Sequence, residues 1–175
     1  MPRPIVGVMG SGTLEHEASA SPIGELIASL GANLLTGGGP GVMRSVSRAY
    51  TRYPGERGIC IGIIPCASDA DRRTPKAGYP NEFVELAIRT HLPRSGPQGT
   101  DDLSRNHINV LSSAAIVALP GEHGTISEIA LAIRYGTPIV AYSIDPAAIA
   151  RFPEGVPRVH DIRDVETFLR SQLAP

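Results

Sequence analysis

Hydrophobic positions along this chain fall in short continuous runs, separated by stretches where they recur every three or four residues. "IVGVMG" (5–10), "NLLTGGG" (33–39), "GICIGIIP" (58–65), "FVELAIRT" (83–90), "AAIVALPG" (114–121) and "PIVAYSI" (138–144) are of strand length. Most are bounded by glycine or proline, which predicts buried strands. Between them, 21–31 predicts a helix with Ser21 as cap, Pro22 in the first turn and Gly31 as stop. Ile23, Leu26, Ile27 and Leu30 share one face of that helix. Residues 41–50, 101–113 and 125–135 predict further helices, and 158–173 a last short strand with a closing helix. Strand-helix alternation with near-continuous apolar strands predicts an α/β fold. Its sheet is doubly wound, mostly or wholly parallel, with about six or seven strands.

Parallel strands share one carboxyl edge. The loops at 10–13, 36–41, 66–82, 91–101 and 120–125 therefore gather there, where open α/β sheets bind ligands. The longest, 66–82, carries Arg72, Arg73 and Lys76. That cluster reads either as solvated charge or as a lid over the crevice.

Composition narrows the classes. The chain has 175 residues, 42% hydrophobic and 19% charged, which suits one globular domain over 1–175. A net charge of -1 and few aromatics argue against nucleic acid as partner. Neither the two cysteines nor the five histidines stand at metal-ligand spacing, so no metal site is expected. The opening "MPRPIVGVMG" enters a strand at once, and no apolar stretch is of spanning length. A cytoplasmic protein without a membrane partner is expected.

Three glycine-rich turns carry the candidate chemistry: "GVMGSGT", "TGGGPGVM" and "LPGEHGT". Glycine lets a ligand approach the main chain, and the first amides of the following helix lack intrahelical partners. Together they form an oxyanion site. Gly10, Ser11, Gly12, Gly37, Gly38, Gly39, Gly41, Val42, Met43, Pro120, Gly121, His123, Gly124 and Thr125 are the candidate ligand-binding residues. The expected ligand is a phosphorylated small molecule. The dinucleotide fingerprint and the P-loop are both absent, since neither glycine spacing nor a Gly-Lys-Ser/Thr run fits.

"TGGGPGVM" and "LPGEHGTISE" resemble the two signature motifs of the LOG superfamily, Rossmann-like proteins once misnamed lysine decarboxylases. "YPNEFVELAIRT", "RNHINVLSSAAIVALPG" and "SEIALAIRYGTPIV" are most similar to its branch of molybdenum cofactor carrier proteins and DprA-related proteins. That resemblance implies a Rossmann-like binding protein for a nucleotide-like ligand, such as a molybdopterin cofactor or a nucleotide monophosphate. It implies no tightly bound cofactor, and a homodimer or higher homo-oligomer. The alternative implied is a LOG-type phosphoribohydrolase, which cleaves nucleoside 5'-monophosphates to free base and ribose 5-phosphate. In that case Arg105 and Glu128 would be catalytic, and the enzyme an N-glycosidase rather than a decarboxylase. Three departures separate the chain from the hydrolases. Glu122 stands where they have glycine, the first motif is one residue shorter, and Arg105 lies in "SRNHIN" rather than a basic, Met-containing segment.

Overall fold

The computed structural model describes residues 2–174. Seven strands form one sheet: β1 (Ile5–Met9), β2 (Asn33–Thr36), β3 (Cys60–Ile64), β4 (Leu86–Arg89), β5 (Ala115–Ala118), β6 (Ile139–Tyr142) and β7 (Arg158–Val159). Their spatial order is β4-β3-β2-β1-β5-β6-β7 and every pairing is parallel. The chain builds outward from β1 to β4, then returns to the other side of β1 with β5. The order therefore reverses between β1 and β5, where two successive connections diverge and leave a crevice. This is the doubly wound α/β sheet expected of a Rossmann-like chain.

Side chains alternate across the strands with a period of two. Val6, Val8, Leu34, Ala115, Val117, Val140 and Tyr142 meet one helical layer. That layer consists of α1 (Glu17–Ser29), α2 (Val42–Thr51) and α5 (Ile162–Leu173). Met9 and Ile116 point the other way, onto Val110 of α3 (Asn106–Leu111) and Leu131 and Ala132 of α4 (His123–Tyr135). Each fully buried Leu or Ile in these layers stabilises the fold by about 1.5–3 kcal/mol.

The structure corrects three element boundaries. α1 begins at Glu17, so Ser21 and Pro22 lie inside it rather than at its cap. Glu17 accepts from Ser21 Oγ at 2.6 Å and also meets Ser45 and Arg48 of α2, so partners distant in sequence extend the helix. α3 covers only Asn106–Leu111 of the predicted 101–113, because Gly96–Gln98 forms a short 3-10 turn and residues up to 104 remain irregular. β4 is four residues long and exposed throughout, as an edge strand with neither face covered. No helix among the described residues is long and apolar enough to cross a membrane.

Candidate functional site

A crevice of about 320 Å³ opens at the carboxyl ends of β1 and β5. One wall is the β1–α1 connection, Gly10 to Thr13, and another the start of α4 from Glu122 to Thr125. Gly37 and Met43 border it on the β2 side, Tyr79 reaches in from the long loop, and Ser95, Gly96 and Pro97 close the front. Arg105, Asn106 and Glu128 form its inner surface.

The β1–α1 connection is held by its own side chains. Ser11 Oγ accepts from the amides of Thr13 and Leu14 at 3.2 and 3.0 Å, and Ser11 N donates to Pro120 O at 2.9 Å. This last bond ties the first glycine turn to the third. Nothing comparable blocks the start of α4, whose first main-chain bond runs from Ile126 N to Glu122 O. The amides of His123, Gly124 and Thr125 therefore lack intrahelical acceptors, and these three residues border the crevice. The helix dipole adds a partial positive charge there. The Thr125 hydroxyl is buried without a hydrogen-bond partner among the described residues.

α2 differs. Val42 N donates to Ser11 O at 2.9 Å, so its leading amide is already used within the protein. Gly41 holds φ 65°, and a Cβ there would lie 2.4 Å from Ser11 O. Glycine at this turn thus serves chain-to-chain contact. The same holds where a Cβ on Gly39 would meet the Tyr79 ring at 2.4 Å, or one on Gly121 would meet Thr125 Oγ1 at 2.0 Å.

Of the candidate ligand-binding residues, the fold brings Gly10, Ser11, Gly12, Gly37, Met43, His123, Gly124 and Thr125 to the crevice. Gly38, Gly39, Gly41, Val42, Pro120 and Gly121 do not border it; they shape the turns behind it. Arg105 and Glu128 both face it although both are buried. Arg105 Nη1 donates to Gly37 O at 2.9 Å and Ile63 O at 2.8 Å, and its guanidinium lies 5.4 Å from the Tyr79 ring centre. Among the described residues its Nε has no partner. Glu128 Oε1 accepts from Asn109 Nδ2 at 3.0 Å. Burial draws the Arg105 guanidinium below its ordinary value and pushes the Glu128 carboxyl above its own, against the opposing pull of Arg105 and Asn109.

Sequence reasoning missed Tyr79, Asn106, Asn109 and the 95–97 turn. Tyr79 sits in "GYPNE", a polar loop segment whose one aromatic was the available signal. The cluster Arg72, Arg73 and Lys76 does not border the crevice, so the loop enters it through Tyr79 instead. Glu122 lies on the rim as the residue preceding α4, exposed and with no cap bond from its side chain.

The model of the SLOG cluster4 family matches residues 3–169. The chain belongs to that family. A molybdenum cofactor binding protein from the phototrophic bacterium Rippkaea orientalis has a similar structure, with TM-score 0.73 and 29% identity over 98% of both chains. A Moco carrier protein from Chlamydomonas reinhardtii aligns with TM-score 0.74 and 29% identity over 99% of both chains. An uncharacterized protein of Archaeoglobus fulgidus is 32% identical over 133 residues, 75% of this chain and 74% of that one.

Proposed function

We propose that this SLOG cluster4 chain acts as a single-domain binding protein for a phosphorylated pterin of the molybdenum-cofactor type, taken as cargo rather than as a resident group. The observation that carries this reading is the open start of α4. Three amides without helical acceptors line a crevice at the point where strand order reverses, and they suit a phosphate. A volume of about 320 Å³ lies at the lower end of the range for small-molecule sites. The likeness of nearly the whole chain to two cofactor-binding proteins supports the choice of ligand.

In this reading the amides of His123, Gly124 and Thr125 hold the phosphate. Gly12 leaves room for a close approach, since a Cβ there would meet only Met43 Cε at 3.8 Å. Glu128 and Asn106 offer polar groups to the heterocycle from below. The cofactor, once bound, carries its own redox chemistry elsewhere, and the protein's part is to bind, orient and shield it. Arg105 acts as a strut here. Two main-chain carbonyls and Tyr79 already engage it, which argues against its swinging onto a substrate phosphate as a hydrolase would require.

The test pairs two assays on the purified protein. Cofactor released from a molybdoenzyme is titrated under anaerobic conditions, and a panel of nucleoside 5'-monophosphates is incubated and searched for free base. Saturable one-to-one cofactor binding without base release is expected. Release of base and ribose 5-phosphate, abolished by Glu128→Gln, would overturn the carrier reading in favour of the hydrolase.

A further inference from the structure

The loop 66–82 forms a second cavity on the same sheet edge, sharing no residue with the crevice. It measures about 350 Å³ and lies where β3 and β4 end. Arg72, Arg73, Arg89 and His91 surround it, between the rigid walls of Pro65 and Pro75.

The main chain that carries these exposed side chains is held in place. The loop is pinned to the end of β3 by an antiparallel bridge between Cys66 and Pro75, by Ala67 N to Thr74 O at 2.8 Å, and by Lys76 N to Pro65 O at 3.0 Å. Asp71 Oδ1 accepts from the amides of Arg73 and Thr74 at 3.1 and 3.0 Å, which closes the turn. The Arg89 guanidinium donates to the Arg73 carbonyl, fixing the strand residue against the loop. Thr90 Oγ1 donates to Ile64 O at 2.9 Å and holds the neighbouring strand end.

The loop's own acids do not neutralise the cluster. Asp71 is spent on main-chain amides, and Asp69 is shared between Arg72 and Arg94, both at 3.1 Å. Among the described residues neither Arg73 nor Arg89 has a carboxylate partner, and of the arginines without one these two border this cavity. Arg73 and Arg89 border the same cavity, so an anion bound there meets both charges. Arginine is also the side chain whose planar fork matches two oxygens of one phosphate.

We propose that this cavity is a second, separate anion site that takes a diphosphate or phosphoester group through Arg73 and Arg89, with Arg72 and His91 at its margin. Two guanidinium forks bordering one cavity suit a group with several oxygens over a small single anion. The group can belong to a free diphosphate or to the extended end of a molecule that also enters the crevice.

Inorganic pyrophosphate, titrated calorimetrically into the intact protein at 0.15 M salt, should bind saturably at one site. Arg73→Ala and Arg89→Ala should each weaken that binding by about tenfold, the loss expected for one charge-assisted contact. Arg73→Lys, which keeps the charge and loses the fork, should also weaken it. Arg134→Ala, on the last turn of α4, should not. Repeating the titration with guanosine diphosphate in a Gly12→Ala background separates the two sources. Weakening of the nucleotide but not of pyrophosphate indicates one ligand reaching both cavities, and equal behaviour indicates a free diphosphate site. Absence of saturable pyrophosphate binding at this salt, or binding indifferent to both arginine variants while melting temperatures stay unchanged, overturns the proposal.

Discussion

Arg105 and Glu128 face the same crevice from buried positions without forming an ion pair. Arg105 gives its Nη1 to the carbonyls of Gly37 and Ile63, while Glu128 receives the amide of Asn109. Each charge is thus held by its own neutral partners, and the two are coupled only through space. An ion pair would tie α4 to the residue that precedes α3. Here each side chain is anchored separately, and the space between them remains part of the crevice.

That anchoring makes Arg105 a structural residue first. Arg105→Ala strips two buried carbonyls of their donor, and should destabilise the protein by about 2–4 kcal/mol. Chemical denaturation reads this directly. Because a Cβ on Gly37 would lie 2.1 Å from Arg105 Nη1, Gly37→Ala should also destabilise the wild type, and by much less once Arg105 is gone. A double-mutant cycle would show this shortfall from additivity.

Glu128 makes stability depend on pH. Its folded pKa is raised by burial above the ordinary 4.5, so folding favours the protonated acid. The stabilisation is complete below the unfolded value and is lost as pH rises through the folded one. Glu128→Gln keeps a group of the same size and removes the titration. Melting temperatures measured from pH 4 upward should fall less for the variant than for the wild type over the interval just above 4.5.

Adding a methyl group can separate binding from folding. Gly12→Ala points a Cβ into the crevice with Met43 Cε at 3.8 Å as its nearest neighbour, so stability should change by under about 1 kcal/mol while ligand affinity falls. Gly121→Ala places a Cβ 2.0 Å from Thr125 Oγ1 and 2.8 Å from Ser11 N, and should lower the melting temperature instead. Paired thermal melts and ligand titrations distinguish the two.

Both cysteines should be chemically silent in the native state. Cys60 is fully buried and burial pushes its thiol up to about 11, so little thiolate exists at pH 8. Cys66 is also buried, with its Sγ beside Ser68 O. Alkylation by iodoacetamide at pH 8 should follow global unfolding. Rapid labelling without denaturant would contradict the buried placement.

By itself the sequence determined the alternation of strands and helices, the common edge of the glycine turns, and which chemistry could gather there. These features rest on short-range patterns: period two in "IVGVM", period 3.6 in "IALAIRY", and glycines after β1, β2 and β5. Contacts between distant residues decided the rest. Glu17 starts α1 early because Ser45 and Arg48 await it on α2. Gly37 and Ile63 immobilise Arg105 from 68 and 42 positions away, and Tyr79 enters the crevice while its neighbouring arginines gather over β3 and β4. Which turn keeps its leading amide free also depended on packing, since the Ser11 carbonyl takes Val42 N at the start of α2, while among the described residues His123 N at the start of α4 has no main-chain acceptor. Local propensity sets how each segment folds. Only the packed sheet brings these remote partners within hydrogen-bond range, and so only the packed sheet determines which groups remain for a ligand.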